Sequence, residues 1–208
     1  MSTEFASARL TAGQLNAIVK NLGGYDMALR FLRNELTISE PTHSWCEEKG
    51  VIYFSVTSDG TTGEDWITRL ESKGFRVGDY AKQVLRSPGF TPTSGVTTEV
   101  AVLKGSLFKD NDRIMSRIRA EANKRGFTKP NAEVGCLIRE KFTDEEIKAM
   151  GLWAIITMHE PINDSVGDPR ILGADRLDDG RWLDVGYGAP GGRWVRGHGF
   201  AFAVSPAA

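Results

Sequence analysis

Residues 180–204 read GRWLDVGYGAPGGRWVRGHGFAFAV. The two ends of this stretch, Gly180-Arg-Trp-Leu-Asp184 and Gly199-Phe-Ala-Phe-Ala-Val204, have the aromatic and aliphatic content of strands. Between them lies a run of Gly, Tyr, Pro, Arg, Trp and His that reads as a loop. Upstream, strand and helix patterns come in mixed order, so the class expected is α+β.

The charge repertoire changes at Ile171. All ten Lys and all fourteen Glu precede it, and Gln and Met are absent after it. The charges that follow are Asp175, Arg176, Asp178, Asp179, Arg181, Asp184, Arg193 and Arg196. Arg, Tyr and Trp are enriched in binding hot spots because they give large contact area at low entropic cost. Three readings stay open for this ending: a binding surface, a plain strand–loop–strand with Trp182, Trp194, Phe200 and Phe202 as core, or a catalytic loop.

Composition narrows the classes. The 208 residues are 40% hydrophobic and 25% charged, ordinary for a globular chain. A net charge of −1 gives no electrostatic footprint for nucleic acid. No apolar run approaches the ~18 residues of a membrane span. Met1-Ser-Thr-Glu-Phe-Ala6 lacks a basic region followed by an apolar one, so a cytoplasmic protein is expected, with export by another route left open. Cys46 and Cys136 stand far apart with no metal spacing, and are expected to be buried thiols. No motif implies a metal or a cofactor.

Residues 10–36 read as a helical hairpin, with Leu10, Leu15, Ile18, Val19 and Leu22 on one face and Gly23-Gly24 at the turn. Residues 39–50 read as a loop. Val51-Ile-Tyr-Phe-Ser-Val-Thr57 is a strand, and Thr62 caps the helix after it. A further short helix spans 77–86. The segment SPGFTPTSG, 87–95, is the expected boundary between an accessory region, 1–92, and a principal domain, 93–208. A strand follows at 97–103. A helix is expected over 110–125, N-capped by the Asp110-Asn-Asp112 cluster. Another helix opens near Pro130, and Thr143-Asp-Glu-Glu146 has a capping-box pattern. Leu152-Trp-Ala-Ile-Ile-Thr-Met158 is a strand, with His159 and Glu160 at its end. That pair, with an Asp-rich loop at 164–179, is the alternative site of an enzyme. A second alternative is an interaction protein that works through the N-terminal hairpin.

Several pieces of the principal domain carry a family resemblance. Glu99-Val-Ala-Val-Leu-Lys-Gly-Ser-Leu-Phe108 resembles the opening strand and turn of the C-type-lectin fold, in the branch shared with formylglycine-generating enzymes. Thr128-Lys-Pro-Asn-Ala-Glu-Val134 resembles the start of that branch's "LPTEAEW" helix. Residues 181–184 and 200–204 resemble its last two strands. Within that fold, the loop between those strands is what the variable proteins of diversity-generating retroelements randomise. The whole chain also resembles small-genome bacterial proteins in which the ending GRWLD…W…GFAF recurs. Template adenines are mutated in such systems, and an AAC or AAT codon cannot then become Lys, Glu, Gln, Met or Trp. Residues 184–198 fit that rule apart from Trp194, read as fixed scaffold, although Asn and Ser do not occur among them.

The resemblance implies a non-catalytic protein that binds a protein or other macromolecular ligand, with oligomerisation possible. Asp184, Tyr187, Arg193, Arg196 and His198 are the expected contacts, and Gly186 and Gly188 allow close approach. Asp175, Asp178 and Asp179 extend the surface, while Trp182, Trp194, Phe200 and Phe202 anchor the frame. The thiol-dependent chemistry of formylglycine-generating enzymes does not transfer, because Cys46 and Cys136 lie outside the closing loop.

Overall fold

A computed structural model describes residues 11–36 and 43–205. Leu10 of the expected hairpin face and Ser39 to Thr42 of the expected loop lie outside the described residues, as do residues 1–6, on which the reading of the N-terminus rests. The chain falls into two compact units, Met1–His43 and Ser44–Ala208.

The first unit is a helical hairpin. Helix α1 (Ala12–Asn21) starts in a capping box, with Thr11 and Gln14 satisfying each other's backbone amides. Gly23 and Gly24, at φ of 92° and 105°, turn the chain into α2 (Tyr25–Leu32), a conformation only Gly adopts without strain.

The second unit is built on one ten-stranded mixed sheet. In chain order its elements are β1 (Cys46–Glu48), β2 (Val51–Asp59), α3 (Gly63–Ser72), β3 (Arg76–Val77), α4 (Asp79–Arg86) and β4 (Ser94–Lys104). After β4 come 3-10 turns at Gly105–Leu107 and Asp110–Asp112, then α5 (Met115–Lys124), β5 (Phe127–Thr128), α6 (Glu133–Lys141) and α7 (Asp144–Ala149). Strands β6 (Ala154–Thr157), β7 (Ile162–Asn163), β8 (Pro169–Leu177), β9 (Gly180–Tyr187) and β10 (His198–Val204) complete it. The order across the sheet is β1-β2-β4-β10-β6-β8-β9-β3, with β5 beside β10 and β7 beside β8. Strand β10 runs parallel to β6, and β3 parallel to β9; the other neighbours are antiparallel.

Alternation along the strands sorts the core into two layers. Ile52, Phe54, Val102, Ile155, Leu172, Leu183 and Ala201 face one side and pack with Trp66, Leu70, Val84, Leu85, Ile138, Phe142 and Ile147 of the helices there. Val51, Ala101, Leu103, Ile156, Ile171, Phe200 and Phe202 face the other, where α5 contributes Met115, Ile118 and Ala122. Each of the larger aliphatic and phenylalanine side chains, fully buried, contributes roughly 1.5–3 kcal/mol.

The class is α+β, and four details differ from the sequence reading. The boundary expected between 92 and 93 falls inside the second unit, because β2 pairs with β4 from Val51↔Leu103 to Asp59↔Ser94. The Pro- and Gly-rich stretch is the link from α4 to β4, tied down by Thr93, whose amide and hydroxyl both donate to buried Glu133. The Asp-rich loop is in large part strand β8. The helix expected from Asp110 starts at Met115, and Asp110 instead pairs with Arg113. Cys136 is buried as expected, but Cys46 is exposed, on edge strand β1.

Candidate functional site

Strands β9 and β10 are separated in the sheet by β8 and β6, so the connection between them, residues 188–197, must cross the sheet. Main-chain groups hold it along its length. Gly188 N donates to Pro169 O at 2.8 Å, Gly192 N to Ala189 O at 2.9 Å, and Trp194 N to Arg113 O at 2.9 Å. Met115 N donates to Gly192 O at 3.0 Å and Ser116 N to Pro190 O at 3.1 Å. These are amides of the first turn of α5, which have no partner within their own helix. The loop carbonyls cap α5, so no side-chain cap is needed and the Asp110 cluster plays no such part. A bridge joins Ile114 to Arg193, and Trp153 N donates to Gly197 O at 2.8 Å.

Glycines supply the remaining fit. A Cβ on Gly105 would lie 2.8–2.9 Å from the carbonyl oxygens of Val195, Arg196 and His198. One on Gly186 would lie 2.2 Å from the Trp194 ring, and one on Gly188 3.0 Å from Pro161. Trp194 therefore turns inward onto Gly186 and packs edge-on with His198 and Phe200, at 5.7 and 5.9 Å between centroids. Phe200 and Phe202 are fully buried. Outward go Tyr187 and Val195, each 48% exposed, with Arg193 and Arg196.

The sheet register brings a second group together. His198 pairs with Ala154, Ala154 with Asp175, and Asp175 with Trp182. In the next row of the same face, Phe200, Ile156, Gly173 and Asp184 follow one another. Paired residues share a face, so His198, Asp175, Trp182 and Asp184 sit on the side the loop crosses. The Asp175 carboxyl leans over Gly173, where a Cβ would lie 3.1 Å from its Oδ1. Burial, and then the charge of Asp184, push Asp175 up to about 6. Its Oδ1, His198 Nδ1 and Trp194 Nε1 are buried with no hydrogen-bond partner among the described residues. Burial also lowers His198. Unmet polar capacity of this kind is costly inside a protein and is found where a ligand or a function uses it.

Asp178 and Asp179 lie away from Tyr187, although Asp178 shares a cleft with Trp153 at the other end of the loop. They form the turn between β8 and β9, while Tyr187 sits at the other end of that hairpin, roughly 25 Å away at ~3.4 Å per residue. Asp179 is engaged, pairing with Arg76 at 3.0 Å and accepting from Trp182 Nε1 at 3.0 Å. The Arg76 guanidinium lies 5.3 Å from the Trp182 ring centroid.

His159 and Glu160 point apart. His159 is buried; its Nε2 accepts from Leu172 N at 2.9 Å, and its Nδ1 lies 2.6 Å from Glu160 O. Accepting at Nε2 places the proton on Nδ1. Burial lowers this histidine to about 4. The Glu160 carboxylate is exposed and pairs with Lys129. Asp164 accepts from Val166 N, Asp168 N and Arg170 Nε, and Arg170 also reaches Asp168, so these acids close a turn. Among the described residues no group of three or more His, Cys, Asp or Glu is placed to hold a metal ion.

One residue beside the loop escaped the sequence reading. Trp153 was expected inside a strand, but β6 starts at Ala154 and Trp153 is 63% exposed. Its ring lies on Gly197, where a Cβ would come within 3.2 Å. No family model, curated protein or solved structure matches this chain.

Proposed function

We propose that this chain is a non-catalytic binding protein that recognises a macromolecular ligand, a protein in the first instance, through side chains of its C-terminal segment. The observation that carries the reading is the way residues 188–197 are held. Carbonyls and amides of Gly188, Pro190, Gly192, Trp194 and Gly197 make the anchoring bonds, whatever side chains lie at 193, 195 and 196. Those three point outward. Such a loop keeps its path while its side chains change, and side chains alone then set specificity. The divergence of His159 and Glu160 leaves the alternative catalytic pair without a shared substrate position, which also favours binding.

The lectin-like, diversified reading draws support from the same geometry. Opening strand β4 and final strand β10 pair side by side, from Gly199↔Lys104 to Ala203↔Val100, and the loop lies between the last two strands. Its test is the DNA that flanks the gene. A near-copy of codons 171–204, differing only where the copy has adenine and lying beside a reverse transcriptase, is the expected result. Absence of such a copy removes the diversification and leaves a fixed binding loop.

One observation favours a second reading. The N-terminal hairpin exposes Leu15, Ile18, Tyr25 and Leu32, the last at 74%. Two short helices do not bury enough to be stable alone, so this apolar face fits an interaction module. Loss of self-association or of a partner on deletion of residues 1–38 is its test.

A further inference from the structure

Trp153 is, with Tyr187, a large exposed aromatic beside the loop, and its main chain is tied on both sides. Its amide donates to Gly197 O at 2.8 Å, its carbonyl accepts from Arg176 N at 2.9 Å, and one ring face is seated on Gly197. A cleft opens on either side of it. One, of about 450 Å³, is walled by Lys104, Leu152, Val195 and Arg196. The other, of about 400 Å³, is walled by Arg176, Leu177 and Asp178. Each has room for one or two side chains, within the ~300–1,000 Å³ range of ligand sites. A pre-ordered Trp between two clefts has the form of a binding hot spot, because little entropy is lost when a partner packs on it.

The charges around Trp153 define what it fits. Lys104, Arg176 and Arg196 are positive; Asp178 is the one carboxylate among the residues lining the two clefts, and Glu47 pairs with Lys104 at 2.7 Å. The local excess is small. It suits a few carboxylates rather than a polyanion, whose binding rests on many phosphate contacts. Apolar walls at Leu152, Val195 and Leu177 suit a large side chain between those carboxylates.

We propose that Trp153 anchors the binding surface, and that what it takes from a partner protein is a short acidic segment bearing an aromatic or large aliphatic side chain. The inference rests on the reading of residues 188–197 as a binding loop and adds to it the anchor and the chemistry of the partner.

The test is selection of a displayed random 12-residue peptide library on the full chain. Enriched peptides are then resynthesised with fluorescein for anisotropy. The expected peptides carry Asp or Glu beside Trp, Phe or Leu. Trp153→Ala weakens them by about thirtyfold or more, the range of a hot spot. Trp153→Phe restores part of the loss, and Arg196→Glu weakens them about tenfold, as loss of a charge partner does. Because Trp153 is largely exposed, Trp153→Ala keeps its melting temperature, which separates lost binding from lost fold. Failure to enrich acidic peptides, equal binding by Trp153→Ala, or Trp153-dependent binding of oligothymidylate in preference to the peptides each overturns the inference. A variant with Tyr187 and Arg193 both changed to Ala distinguishes the two claims. Peptides lost there but kept by Trp153→Ala leave the loop reading standing and sink the anchor. The reverse pattern does the opposite.

Discussion

Replacing Asp175 by Asn stabilises the protein at neutral pH. The carboxyl is held over Gly173, its Oδ1 is buried without a partner among the described residues, and Asp184 lies across the strand pair. Arg139 is fully buried nearby, but its Nη1 donates to the Asp175 main-chain oxygen at 3.0 Å, so it offsets the carboxylate charge only in part. Asp175 therefore rises from 3.8 to about 6. A raised acid binds its proton more tightly in the folded than in the unfolded state. Its favourable contribution is complete below about pH 3.8 and is lost as pH rises through about 6. At ~1.4 kcal/mol per pH unit, the ionised group costs the fold about 3 kcal/mol above neutrality. Asn keeps the shape without the charge, so Asp175→Asn gains up to that amount at pH 8, a rise of roughly 6–12 °C in melting temperature for a unit of this size. The assay is thermal unfolding of both proteins, followed by tryptophan fluorescence from pH 4 to 8, and the readout is the difference between them. The gain should shrink towards zero at pH 4. A neutral or destabilised variant at pH 8, or a gain that persists on acidification, refutes the reasoning.

His159 has the opposite sign: its lowered value means the neutral ring is preferred, so its contribution is present above about 6.5 and lost as pH falls through about 4. His159→Ala leaves Leu172 N unpaired, costs about 2 kcal/mol or more in urea unfolding, and leaves binding of the selected peptides unchanged. Gly105→Ala drives a methyl group into two loop carbonyls and that of His198 and costs about 1–3 kcal/mol, read as a lower melting temperature together with a shifted tryptophan emission. Changing Tyr187 and Arg193 together to Ala leaves the melting temperature within about 2 °C, as expected for exposed side chains, and abolishes peptide binding.

Local signals carried much of this fold. The β-branched and aromatic run Val51-Ile-Tyr-Phe-Ser-Val-Thr57, the N-cap at Thr62 and the capping box at Thr143 report short-range physics, and the corresponding elements stand where those signals lie. Strand β8 was hidden because Ile171-Leu172-Gly173-Ala174 is buried on both faces, so it shows no alternation, and Gly and Asp are poor strand formers. The start of α5 was misread because its amides are satisfied by carbonyls from about 75 residues downstream, which no local capping signal announces. The SPGFTPTSG segment reads as a boundary on composition alone, yet strand pairing on both sides of it places it within one unit. In the candidate site, Tyr187, Arg193 and Arg196 were visible as residue types. The grouping of Asp175, Asp184 and His198 depends on register across four strands, and Trp153 is set apart only by where its strand begins.

The most direct measurement is a library in which residues 187, 189, 193, 195 and 196 are randomised together while Trp194 and the glycines are kept, scored by resistance to proteolysis. A loop fixed by main-chain bonds predicts that most members remain resistant, with unfolding midpoints close to the parent, while binding to the selected peptides is lost in nearly all. A library that is mostly degraded would mean that those side chains hold the frame, and would contradict the account of this segment as an interchangeable binding surface.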